Sequence, residues 1–79
     1  MDNRTQRIMY LRTTLVGKRI QLDHLDDAYT KLVAGDKGTV YAVDDLGTVH
    51  VKWDNGGKLG LVEEAGDRFH QVEESKASA

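Results

Sequence analysis

The sequence predicts a mainly β protein, a small five-stranded barrel with an N-terminal helical extension, and three observations carry that prediction. After Gly17, apolar residues recur at period two in several short segments. Those segments are separated by Gly, Asp and Asn at turn spacing. Before Gly17 the spacing changes to steps of three and four. A chain of 79 residues encloses one hydrophobic core and buries only about 60% of its unfolded surface, so a single domain of modest stability is expected.

The helix is expected over residues 3–15, within an extension spanning 1–16. Arg4, Ile8, Leu11 and Leu15 fall on one stripe, Asn3 or Thr5 offers a cap, and Gly17 suits the stop. Thr13 and Thr14 weaken its end through β-branching. A helix this short is marginal alone in water and needs a surface to dock on, in this domain or on a partner.

The strands follow in order over 17–72. Ile20 and Leu22 alternate with Arg19 and Gln21, and residues 40–43 read as the second strand. Val49, Val51 and Trp53 then alternate with Thr48, His50, Lys52 and Asp54. Leu59 and Leu61 repeat the pattern, and Phe69 with Val72 suits a short last strand. Asp45-Leu46-Gly47 reads as a hairpin loop with Gly47 left-handed, and Asn55-Gly56 as a type I′ turn that Gly57 can widen. Residues 23–37 are too long for a hairpin and too weakly periodic for a strand. They are expected to fold over one end of the barrel, with Leu25, Tyr29 and Leu32 packing beneath. Residues 62–67 suit a short helical turn, and 73–79 a disordered tail. The expected core is Ile20, Leu22, Val40, Val49, Val51, Trp53, Leu59, Leu61 and Phe69.

With no cysteine there is no disulfide framework and no thiolate metal site, which suits a reducing, cytoplasmic setting. No run approaches the roughly 18 apolar residues that span a bilayer, and the start lacks a signal-peptide core. The net charge of −2 conceals an asymmetry: five cations against one anion in residues 1–20, six against twelve in 21–79. A basic front on an acidic body favours an anionic partner at the front, or pairing of front with body.

"GKRI", "DDAY", "GDKGTV", "VKWDNG" and "LGL" follow one another in this order, with "DRFHQV" after them. Residues 17–72 thereby resemble an uncharacterised family of small bacterial and phage proteins, a domain of unknown function. Ala28 stands where that family's pattern has proline. More loosely, the second half is similar to SH3-like barrels of the Mib/Herc2 and KOW types. The resemblance implies a five-stranded SH3-like barrel without catalysis and implies no substrate.

Trp53 shares a register with Val49 and Val51 and is expected to be buried; display would require a bulge between Val51 and Trp53. Tyr41, on the opposite face from Val40, and Tyr29, Asp26 and Asp27 in the long loop are the candidate partner-binding residues. Arg4, Arg7, Arg12, Lys18 and Arg19 are the phosphate-contacting set of an alternative, nucleic-acid-binding reading. His24, Asp26 and Asp27, even with His50 and His70, match no zinc spacing, so no metal is expected. The scattered aspartates and glutamates allow a third reading, an acidic decoy of a host nucleic-acid enzyme, against which stands ordinary turn chemistry. No nucleophile motif or phosphate loop is present, and "DNGGKLG" joins two strands instead of leading into a helix, so no catalytic residue and no cofactor are expected. The expectation is a small non-catalytic interaction module with a protein partner, no membrane association, and possible self-association through residues 1–16.

Overall fold

The computed structural model describes residues 3–25 and 32–73. Helix α1 (Asn3–Leu15) leads into β1 (Arg19–His24), β2 (Lys37–Val43) and β3 (Val49–Trp53). A single 3₁₀ turn (Glu63–Ala65) then precedes β4 (Arg68–Gln71). All four strands are antiparallel neighbours in one sheet, in the order β3-β2-β1-β4. The candidate loop residues Asp26, Asp27 and Tyr29 lie outside the described residues, as does the expected tail from residue 74.

The molecule is mainly β with one N-terminal helix, and among the described residues the sheet does not close. The strand expected through Leu59 and Leu61 is reduced to one bridge, Val49 with Leu61, whose two backbone hydrogen bonds measure 2.8 and 2.9 Å. The cause is local. The Leu59 carbonyl, which a ladder would use, accepts instead from the Trp53 indole N–H at 2.8 Å. Gly60, which flanks it, lies so close to Thr48 that a Cβ would meet its methyl group at 2.6 Å. Side-chain alternation was therefore present without the backbone pairing it normally signals.

The two hairpin loops share one geometry. In each, the amide three residues on donates to the first carbonyl (Gly47 to Asp44, 3.0 Å; Gly56 to Trp53, 2.9 Å). The first residue's amide then donates to the fifth residue's carbonyl (Asp44 to Thr48, 3.1 Å; Trp53 to Gly57, 3.1 Å). Gly47 and Gly56 take the left-handed conformation, φ 89° and 95°. No described non-glycine residue has positive φ, so Asn55-Gly56 is not the expected type I′ turn, which needs positive φ at both positions. It is the three-residue loop built on a type I turn with a left-handed glycine.

The inner face of the sheet buries Ile20, Leu22, Val40, Val43, Val49, Val51 and Trp53, with Leu61 and Leu32 completing the cluster. Trp53 is 2% exposed. Leu59 and Phe69 are only half-buried and pack against this core from outside. Helix α1 adds Leu11 and Leu15, with Ile8 half-buried beside them, because its apolar stripe lies across the β2–β3 hairpin. Gly47 seats that contact: a Cβ there would stand 3.3 Å from Ile8. The Gly17 amide after the helix donates to Val40 O at 2.8 Å, tying the helix exit to β2. No described helix is long and apolar enough to cross a membrane.

Candidate functional site

The outer face of the sheet carries the side chains that alternate away from the core. Register places Arg19 opposite Thr39, Thr39 opposite Lys52 and Gln21 opposite His70. At Val40–Ala42 the β2–β3 pairing shifts: Val40 faces Val51 and Ala42 faces His50, which leaves Tyr41 as the extra residue of a bulge. A bulge re-aims its side chain, and Tyr41 is 56% exposed while Val40 beside it is fully buried.

Tyr41 is not a loose ring. Its centroid lies 5.9 Å from that of His50, tilted by 42°. The His50 Nε2 is in turn 3.0 Å from an Asp44 carboxylate oxygen. The other Asp44 oxygen accepts from the Leu46 and Thr48 amides at 3.0 and 2.9 Å. Hydrogen bonding from His50, and then from those amides, holds the Asp44 carboxyl below its ordinary pKa of 3.8. The first hairpin loop thus anchors Asp44, Asp44 orients His50, and His50 supports Tyr41.

Tyr41, Lys52 and Lys58 line a concavity of about 370 Å³. A second hollow of about 360 Å³ adjoins it through Lys52, bounded by Thr39, Trp53 and Asp54. Lys52 and Lys58 are exposed, and no described carboxylate forms an ion pair with either. The lysines were missed by sequence reasoning because nothing local links position 58 to position 41. The usable signal was the period-two register that sets Lys52 beside His50.

The arginines are arranged in the opposite way. Arg4 donates to Glu64 and to Leu46 O, both at 2.9 Å. Arg7 grips Glu63 with two hydrogen bonds, 3.1 and 2.9 Å, and hydrogen bonding to that carboxylate raises the Arg7 pKa above its ordinary value, against a smaller opposing effect of burial. Arg12 donates to Val43 O at 2.9 Å and to Asp45 at 3.0 Å. Arg19 is buried, its guanidinium held bidentate by Asp54, with Thr39 as a further acceptor. Of the five residues of the phosphate-contacting set, Arg4, Arg7, Arg12 and Arg19 are thus bonded to the protein itself, while Lys18 is exposed on the turn after α1. The acidic residues are engaged likewise: Asp36 accepts from the Val33 amide at 3.0 Å, and Asp23 lies 2.8 Å from His70 Nδ1. Among the described residues no three of His, Cys, Asp and Glu come together to hold a metal ion.

Fold and surface together define a small domain with one open antiparallel sheet, a docked N-terminal helix and an aromatic-cationic outer face. The chain belongs to the family described as Domain of unknown function (DUF4314), whose model matches residues 4–72. The match runs from the second residue of α1 to just past β4. No curated protein and no solved structure matches the chain.

Proposed function

We propose that this protein is a small non-catalytic interaction module that binds an acidic segment of a protein partner through the outer face of the β2–β3 hairpin. Tyr41 and the stems of Lys52 and Lys58 supply apolar contact, and the two ammonium groups supply charge. The observation that carries the reading is the contrast in how cations are used: four arginines are bonded within the fold, whereas Lys52 and Lys58 flank an exposed, braced tyrosine. Two lysines match a short acidic peptide better than nucleic acid, where a protein making 6–10 phosphate contacts is typical of salt-sensitive binding.

The finer architecture belongs to the same proposal. The β4-β1-β2-β3 order, the bridge from β3 to Leu61 and the 3₁₀ turn before the last strand are consistent with an SH3-like barrel whose fourth strand is frayed. A cysteine-free chain of this kind suits the cytoplasm of a bacterium, including one carrying a phage or mobile element.

The test is a fluorescence titration with a labelled peptide of alternating Glu and aromatic residues, run beside single-stranded DNA and RNA at low and raised salt. Tyr41→Ala and Lys52→Glu should each weaken peptide binding by about tenfold or more. Both positions are exposed, so the circular dichroism melt should be retained. Peptide binding unaffected by either substitution, or stronger binding of the oligonucleotides, would overturn the reading.

A further inference from the structure

A groove of about 280 Å³ runs between α1 and the 3₁₀ turn, away from the Tyr41 face. Its floor is Ile8, Leu11, Gly47 and Val62, and its rim is the pairs Arg4–Glu64 and Arg7–Glu63. It is large enough for one branched aliphatic side chain. At its edge stands Leu46, 68% exposed and the most exposed large hydrophobic residue described. Leu46 is the chain neighbour of Gly47 in the floor, and its carbonyl is bound by Arg4 of the rim.

An apolar knob beside an apolar hole on one surface is the requirement for a self-complementary two-fold contact: each copy offers what the other lacks. The charges on the rim are self-complementary as well. It carries two arginines and two glutamates, and the pairs are open to solvent, with side-chain exposures of 53% and 69% for Arg4 and Glu64. Two such rims meeting across a dyad can exchange Arg4–Glu64 partners without placing like charges together. A polyanion or polycation would meet repulsion from half of the rim, which singles out a second copy over a strongly charged partner. Tyr10, 57% exposed and 5.4 Å under the Arg7 guanidinium, extends the same flank.

We propose that two copies of this chain associate through this groove, the Leu46 side chain of each seated on Ile8, Leu11 and Val62 of the other. The association leaves Tyr41, Lys52 and Lys58 outside the contact and presents two copies of that face to a partner.

Sedimentation equilibrium of the full chain, from micromolar to millimolar concentration, tests the proposal. The wild type should show a reversible monomer–dimer equilibrium. Leu46→Asp, at an exposed turn position, should weaken dimerisation at least about tenfold with an unchanged melting curve. Leu46→Met should retain it. A monomer throughout the concentration range, or a dimer indifferent to Leu46→Asp, would overturn the proposal.

Discussion

The two hairpin loops have the same backbone and opposite fates. The loop from Asp44 to Thr48 is braced on every side: Ile8 packs on Gly47, Arg4 binds the Leu46 carbonyl, Arg12 reaches Asp45, and Asp44 caps two amides of its own turn. The strand that follows it, β3, pairs along its length with β2. The loop from Trp53 to Gly57 is held by Asn55 capping Gly57 at 2.9 Å, by Arg19 gripping Asp54 and by the Asp54 amide donating to Lys37 O at 2.9 Å. The segment after it makes one bridge instead of a strand. A turn signal therefore fixes a reversal of the chain, while the ladder beyond it depends on what the neighbouring carbonyls find. At Leu59 the indole N–H of Trp53 takes the acceptor.

The largest expected effect is at that indole. Trp53→Ala empties the centre of the inner face and releases the Leu59 carbonyl, at a cost of about 3–5 kcal/mol. In a domain this small that removes most of the stability, and denaturant titration should show an unfolded or barely folded variant. A mutant that stays folded with a near-native midpoint would deny Trp53 its structural role.

The loops themselves separate next. Gly47→Ala and Gly56→Ala each force a side chain into left-handed backbone, costing about 1 kcal/mol. Only Gly47 has a neighbour in the way, Ile8 at 3.3 Å, whereas a Cβ at Gly56 meets open space. Gly47→Ala should therefore be the more destabilising of the two and should also loosen α1. Equal midpoints in chemical denaturation would remove the distinction between the loops.

Acid should act on the first loop through Asp44. The Asp44 pKa is lowered in the folded protein, so its stabilising contribution is fully present above the ordinary value of 3.8 and is lost as pH falls through the lowered value. Asp44→Asn should flatten the fall in melting temperature between about pH 5 and pH 2 relative to the wild type. The same slope in both would show that Asp44 has no such role.

The smallest effect belongs to the exposed helix pairs. Arg12 and Asp45 have side chains 44% and 98% exposed, and their ion pair contributes at most about 1 kcal/mol, less at high salt. Asp45→Ala should shift the melt slightly in low salt and not at all at high salt. A large, salt-independent loss would mean that the carboxylate does more than pair with Arg12.

Much of this arrangement is legible in the sequence because it is set locally. Residues 3–15 carry a helical stripe, Gly17 ends it, and the alternation about Val40, Val49, Val51 and Trp53 marks strands with one buried face. The charge asymmetry is legible too, but what it does is not: Arg4 meets Glu64 sixty positions away, and Arg19 meets Asp54 across three strands. Arg19 alternates outward like any surface residue and is nevertheless buried, because Asp54 at the end of β3 folds over it. The face around Tyr41 is partly visible, since Tyr41 lies opposite Val40 in phase. Its bulge, its support by His50 and its meeting with Lys58 all require the tertiary register.

Arg4, Arg7 and Arg12 of the basic front are bonded to Glu64, Glu63 and Asp45 of the acidic body, which leaves the β2–β3 face as the proposed partner surface. Backbone amide shifts recorded while the acidic peptide is titrated into the full chain test it most directly. Shifts should concentrate at Tyr41, His50, Lys52 and Lys58 while Arg4, Arg7 and Arg12 stay in place. Shifts centred on α1, with the sheet face unmoved, would contradict it.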